Sequence, residues 1–225
     1  VRPWINIGLT LAVYLICRWV YRRYPLPWLN PMLTSVALLM VLLLSTHTSY
    51  AAYIRGSDLL TLLLGPATVA FAVPLHRHFE LLKRHAVELL CGIALGSLLA
   101  VVSSVSLARL LRLTPILMDS LAPRSVTTPI AMQVSAQLGG NAILTSVFVI
   151  ATAFVGLVVG PLTIRWLKIQ SALAKGMLMG MGAHGIGTSR AFEFGPLEGT
   201  FSSLSMILAA AFTVLLAPLV VPFLR

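Results

Sequence analysis

Between Asn141 and Arg165 the chain runs for 23 residues without a charge, and between Glu198 and Arg225 it does so for 26. About 20 apolar residues in a helix span the hydrocarbon core of a bilayer, so each run is long enough to cross one. Further apolar segments cover residues 4–20, 32–48, 59–75 and 86–107. Only 10% of the chain is charged, against about 25% in soluble domains. Too few polar side chains remain to coat a soluble globule, which excludes a soluble enzyme, and the hydrophobicity excludes a disordered chain. Main-chain polar groups inside lipid must be paired within their own segment, so the spans are helices. The expectation is an all-α, polytopic integral membrane protein, a single domain over 1–225.

Lys and Arg together number 16 against 6 acidic residues, a net charge of +10. On a soluble chain that would point to nucleic acid. Here the basic residues flank apolar runs, where positive charge is retained on the cytoplasmic side, and no nucleic-acid partner is expected. The clusters are Arg18, Arg22 and Arg23; His76, Arg77, His78, Lys83, Arg84 and His85; and Arg165, Lys168 and Lys175. The first run carries its charge after the apolar stretch, the reverse of a signal peptide, and reads as a retained helix. Cys17 and Cys91 lie inside apolar runs and suit neither a disulfide framework nor a metal. No cofactor is called for.

Two stretches do not fit a lipid-facing span. Residues 119–141 read DSLAPRSVTTPIAMQVSAQLGGN, and residues 176–199 are dense in glycine and carry His184, Arg190, Glu193 and Glu198. Placing all three basic clusters on one side requires 119–141 to enter and leave on the same side. That gives about six full crossings plus two broken or re-entrant segments. A faint repeat aligns LGPATVAFAVPL from Leu64 with LAPRSVTTPIAM from Leu121, pairing Pro66 with Pro123 and Thr68 with Ser125. Its halves are 58–112 and 115–169. Proline-broken segments in corresponding halves are the usual pointer to a transporter's binding site. The charge rule does not bring these two segments in from opposite faces, as an inverted repeat requires.

In PRSVTTP, Pro123 and Pro129 free main-chain groups from a helix ladder around Arg124, Ser125, Thr127 and Thr128. A guanidinium grips a carboxylate through two parallel bonds, and hydroxyls can read a hydroxyl or keto oxygen beside it. A polar loop outside the membrane is the other reading of the same residues. In GMGAHGIGTSR, glycines that include Gly185 and Gly187 permit close approach and positive φ around His184, a residue that titrates near neutral pH. The plainer reading is a glycine-rich helix packed on a neighbour. Intramembrane carboxylates tend to mark pathways and proton relays, which singles out Glu193. A wet loop with a local Arg190 pair is its alternative. No Ser-His-acid triad or metal-ligand spacing is present, so no catalytic activity is expected.

The strings PRSVTTPIAM and GAHGIGTSRAFEFGPLEGTFSSLSM, with LNP at Leu29 and GPA…VPL around Gly65, resemble the LrgB/CidB/YohK family of bacterial inner-membrane proteins over essentially the whole chain. The family commonly has Ser-His where this chain has Ala183-His184, so no role can rest on a serine there. The resemblance implies two functional expectations. The first is a secondary transporter of small monocarboxylates of the glycolate, glycerate, lactate and pyruvate class, since plastidial relatives exchange glycolate and glycerate; coupling to protons is an expectation from the chemistry of His184. The resemblance assigns no roles to residues; from their chemistry, Arg124, Ser125, Thr127, Thr128, Thr68, Thr188 and Arg190 would bind substrate, and His184 or Glu193 would carry a proton. Pro66, Pro123, Pro129, Gly185 and Gly187 would break the helices. The second is a holin- or antiholin-like regulator of murein hydrolase activity and autolysis, acting with a small LrgA/CidA-type membrane partner. Either would sit in the bacterial inner membrane and is expected to self-associate.

Overall fold

The computed structural model describes residues 3–24, 26, 29–63, 66, 69 and 72–224. Among these the secondary structure is helical, and the chain forms two compact units, 1–72 and 73–225. Four helices are long and apolar enough to cross a bilayer. They are α1 (Pro3–Arg23), α7 (Ala86–Leu110), α10 (Ala142–Trp166) and α12 (Pro196–Leu224). A shorter apolar helix, α2 (Pro31–Ser45), starts at the proline expected at a first helical turn, with Asn30 as its cap. The run 59–75 was expected to form one span. Its described residues include a helix α4 (Asp58–Leu62) that ends before Leu63, helical Pro66 and Val69, and α5 (Ala72–Arg77), which is followed by α6 (Phe79–Arg84). Pro66, exposed, and Pro74 both fall in this run, and proline cannot donate to a helix ladder. Thr68 and Gly65 lie outside the described residues.

In the first unit, α3 (Tyr50–Arg55) is tied to α1. The Asn6 amide donates to Tyr53 O at 2.9 Å, and Thr10 and Tyr53 share a 2.6 Å hydroxyl bond.

The second unit is built on three long helices. Leu89 and Ile93 of α7 pack with Phe201 and Leu204 of α12, while Val101 and Val105 pack with Ala217 and Val221. These two helices therefore run parallel. On α10, a side chain at Gly156 would collide with the Gly182 main chain, and one at Gly160 would meet Leu178 and Met179. Thus α10 is antiparallel to the first half of α11 (Ala172–Phe194). Helix α7 begins and α10 ends at the same end of the unit, so two of the basic clusters share that end, as the charge rule asked.

Each connection between these long helices is a hairpin. From α7 the chain enters α8 (Pro115–Leu121), crosses a non-helical stretch 122–127 and returns through α9 (Thr128–Leu138). Gly139 stops α9 at φ 92°, a left-handed conformation that glycine adopts without penalty. The Asn141 N–H then donates to Ser120 Oγ at 2.7 Å, closing the hairpin. The second hairpin is α11 itself. Its direction reverses at His184 (φ 49°, ψ −129°). Lys175 before the turn and Glu198 after it lie 3.8 Å apart, and Thr188 on the returning half meets Ser202 at 3.0 Å. The two hairpins enter from opposite ends, because α10 crosses between them. Residues 119–141 and 176–199 are thus both broken segments that turn back.

Candidate functional site

The non-helical stretch 122–127 is threaded through the middle of the second unit. Ala122 and Val126 are each 1% exposed; Val126 packs with Val149 of α10 and Ala210 of α12. This packing fixes Arg124 between two long helices. Its Nε donates to Ser104 Oγ of α7 at 2.8 Å, and its Nη1 donates to Thr152 Oγ1 of α10 at 3.4 Å. At a rise of about 1.5 Å per residue, Thr152 lies about 15 Å along α10, near its midpoint. The guanidinium therefore sits at bilayer depth.

Both acceptors are committed. Ser104 donates its own proton to Ala100 O at 2.5 Å and Thr152 donates to Phe148 O at 2.7 Å. Only their lone pairs are left to face Arg124. Among the described residues no carboxylate pairs with it. The positive charge is oriented by neutral oxygens but not neutralised.

Arg124 lines a cavity of about 630 Å³ open along one face of α10. Ser104, Ser125 and Thr152 make the polar end; Val155, Val159, Leu178 and Met181 continue as an apolar wall. Two half-helices begin near this depth, α9 at Thr128 and the returning half of α11 after His184. Thr127 precedes α9 without a side-chain cap bond, which leaves main-chain N–H groups and the positive dipole end directed inward.

His184 is 3% exposed, and its ring lies against the Ser125 main chain. Its φ, ψ pair is rarely populated by a residue with a side chain, at a cost of about 1–3 kcal/mol. The sequence offered glycines for this turn; the structure places the turn on the histidine. Gly185 has open space where a side chain would start, and Gly187 lies against Met179 and Ala183.

The remaining singled-out residues stand elsewhere. Pro123 is buried and Pro129 occupies the first turn of α9. Thr127 and Thr128 are half-buried and do not line the cavity. Thr188 is bonded to Ser202, and Arg190 pairs with Glu193 and lies over Phe194. The structure thus gathers Arg124, Ser125 and the His184 turn, and sets Thr188, Arg190 and Glu193 apart from the cavity. Ser104 and Thr152 were missed in the sequence. A hydroxyl within an apolar span bonds its own helix readily, so nothing local announced that these two face an arginine. Among the described residues no His/Cys/Asp/Glu group could hold a metal.

The family model described as the LrgB-like family matches residues 10–223. The chain is 48% identical over 219 residues to the uncharacterized protein YwbG of Bacillus subtilis, covering 97% of each chain. It is 40% identical over 217 residues to the uncharacterized protein YxaC of the same organism, covering 96% of this chain and 94% of that one. It is 29% identical over 221 residues to the Holin-like protein CidB of Staphylococcus aureus, covering 98% and 96%. No solved structure matches it. An all-α, multi-pass membrane protein with matches of this extent belongs to the LrgB-like family.

Proposed function

We propose that this protein is a secondary transporter of small monocarboxylates of the glycolate, glycerate, lactate and pyruvate class in the bacterial inner membrane, and that it catalyses no covalent chemistry. One observation carries the reading: Arg124 stands at bilayer depth, held by two neutral hydroxyls, with no carboxylate partner among the described residues. An arginine at the centre of a membrane helix costs about 3 kcal/mol. A transient carboxylate offsets that cost through paired N–H···O bonds and leaves again, which a permanent ion pair would prevent. The inward N-termini of α9 and the second half of α11 favour the same negative charge. Ser125 is placed to read the substrate's hydroxyl or keto oxygen.

The test is counterflow of labelled glycolate or lactate in proteoliposomes. Saturable exchange is expected, and Arg124→Gln should reduce it to the background of empty vesicles. Exchange that survives Arg124→Gln, or its absence from wild type for every acid of this class, would overturn the reading.

A second reading follows from the relative named Holin-like protein CidB. The name supports only a holin-like role, to which this reading adds regulation of murein hydrolase activity, self-association and a small LrgA/CidA-type membrane partner. It predicts leakage of large dyes on expression, indifferent to Arg124→Gln. A half-buried guanidinium with a defined cavity favours transport, with effects on the cell wall following from altered metabolite flux.

A further inference from the structure

The cavity beside Arg124 is larger than glycolate or lactate requires. Its volume of about 630 Å³ falls among sites that enclose drug-sized ligands, about 300–1,000 Å³. An acid that ends one or two carbons past its carboxylate, held at the guanidinium, fills only the part next to Ser104, Ser125 and Thr152.

What lies beyond is apolar. Val155, Gly156, Val159 and Gly160 line the cavity along one face of α10, at the three- and four-residue spacing of a helix face. At about 1.5 Å per residue, Val155 and Val159 lie about 4.5 and 10 Å past Thr152. Leu178 and Met181 of α11 stand across from them. The glycines bring the two helices together, since a side chain at Gly160 would meet Leu178 and one at Gly156 would meet the Gly182 main chain. Met181 reaches over Gly96 of α7, where a side chain would strike its Cε. Methionine is unbranched and adapts to the shape beside it. The next polar side chain along α10 is Thr163, about 16 Å past Thr152, and its hydroxyl donates to Val159 O at 2.9 Å. Between Thr152 and Thr163 this wall offers contact surface and no side-chain hydrogen bond.

The occupant has to suit both parts. Water needs two to four polar partners, which the wall does not supply. A phospholipid chain could cover the wall, but its headgroup stays at the bilayer surface, about 15 Å from the centre of the hydrocarbon, and leaves the Arg124 charge unmatched. A carboxylate with an aliphatic tail meets both: paired N–H···O bonds at the guanidinium and apolar contact along α10 and α11.

We propose that the site takes aliphatic 2-hydroxy and 2-oxo acids with tails longer than that of lactate in preference to lactate and glycolate. The carboxylate lies on Arg124, the 2-oxygen at Ser125, and the tail along Val155, Val159, Leu178 and Met181. This narrows the substrate within the monocarboxylate class and rests on the transport reading above. Burying one methylene raises affinity about fourfold. The cavity is open along one face of α10, so each methylene is covered in part and about a two- to fourfold gain per carbon is expected.

The experiment is inhibition of labelled lactate counterflow in proteoliposomes by lactate, 2-hydroxybutyrate, 2-hydroxyvalerate and 2-hydroxycaproate. Inhibition constants should fall about two- to fourfold with each carbon, about tenfold or more over the series. The amide of 2-hydroxycaproate, which has the tail without the charge, should not compete. Constants that stay level or rise with chain length overturn the proposal and mean that lipid or a second copy already covers the wall. Equal competition by the amide also overturns it, because the tail would then act without Arg124. Val159→Asn puts a polar group on the wall. Gly182→Leu adds bulk at a lining position where a side chain would start with nothing within 4 Å. In each, the ratio of the lactate to the 2-hydroxycaproate constant should fall severalfold; a ratio unchanged in a variant that still exchanges lactate overturns the assignment of the tail to this wall. A wild type that exchanges no acid defeats the transport reading. The thermal midpoint of the full-length protein in nanodiscs then decides the site by itself: it should rise along the series in wild type and less in Val159→Asn, and no rise with chain length overturns the proposal.

Discussion

The two hairpins of the second unit meet the same physical problem, irregular backbone at bilayer depth, and solve it differently. In the first, proline and buried apolar side chains clamp the stretch 122–127 between α10 and α12, and its one charge is gripped by hydroxyls of two other helices. In the second, the turn falls on a single residue in a rarely populated conformation. Its halves lie close to their neighbours because glycine leaves room. Gly176 and Gly180 admit α12, and Gly156 of α10 admits Gly182. The first hairpin holds an obligate charge, which must be oriented at all times. The second places a ring against the Ser125 main chain of the first. A fixed charge needs a rigid mount, whereas close helix packing needs glycine where main chains meet.

That contrast can be broken most severely at Arg124. Arg124→Lys keeps the charge but replaces a planar fork by a point charge. It should lose at least tenfold in counterflow rate at saturating glycolate, with Arg124→Gln falling to background; equal activity of Lys and Arg would show that orientation is irrelevant. Next is the tight packing of the second hairpin. Gly156→Val would drive a side chain into the Gly182 main chain. Overpacking of this kind costs about 1–3 kcal/mol, read as a lower midpoint of thermal unfolding in detergent. Gly182→Ala, where open space is available, should leave that midpoint unchanged.

The mount of Arg124 comes next. Removing both acceptors in Ser104→Ala/Thr152→Val leaves N–H groups unpaired at a cost of about 1–3 kcal/mol. The apparent KM for glycolate should rise several-fold while expression is preserved. The smallest effect is expected at the mouth of the second hairpin. Lys175→Met or Glu198→Gln should change stability by less than about 1 kcal/mol, since the 3.8 Å pair is partly exposed. The double charge swap should restore whatever is lost.

Much of this fold was legible before any coordinates. The uncharged runs at 142–164 and 201–223 became α10 and α12 nearly to their ends, because a long apolar run leaves the main chain no alternative to a helix in lipid. Residues 119–141 and 176–199 read as broken because proline and glycine act locally, and both turn back. The run 59–75 read as one span because apolarity was weighed above Pro66 and Pro74, whereas α4 ends at Leu62. Within the site, Arg124 and Ser125 were visible as polar residues where polarity is costly. The pair formed by Arg190 and Glu193 was anticipated as the alternative to a pathway role.

The sequence by itself determined that the chain is helical and membrane-spanning, where its charge gathers and where its helices break. Those properties depend on residue type and on neighbours within a turn or two. The tertiary structure decided which hydroxyls face Arg124 and that the second turn rests on His184 rather than on a glycine. A serine in an apolar span satisfies its own helix or faces a neighbour with equal ease in sequence terms. Only the packing of α7, α10, α11 and α12 against one another separates the two.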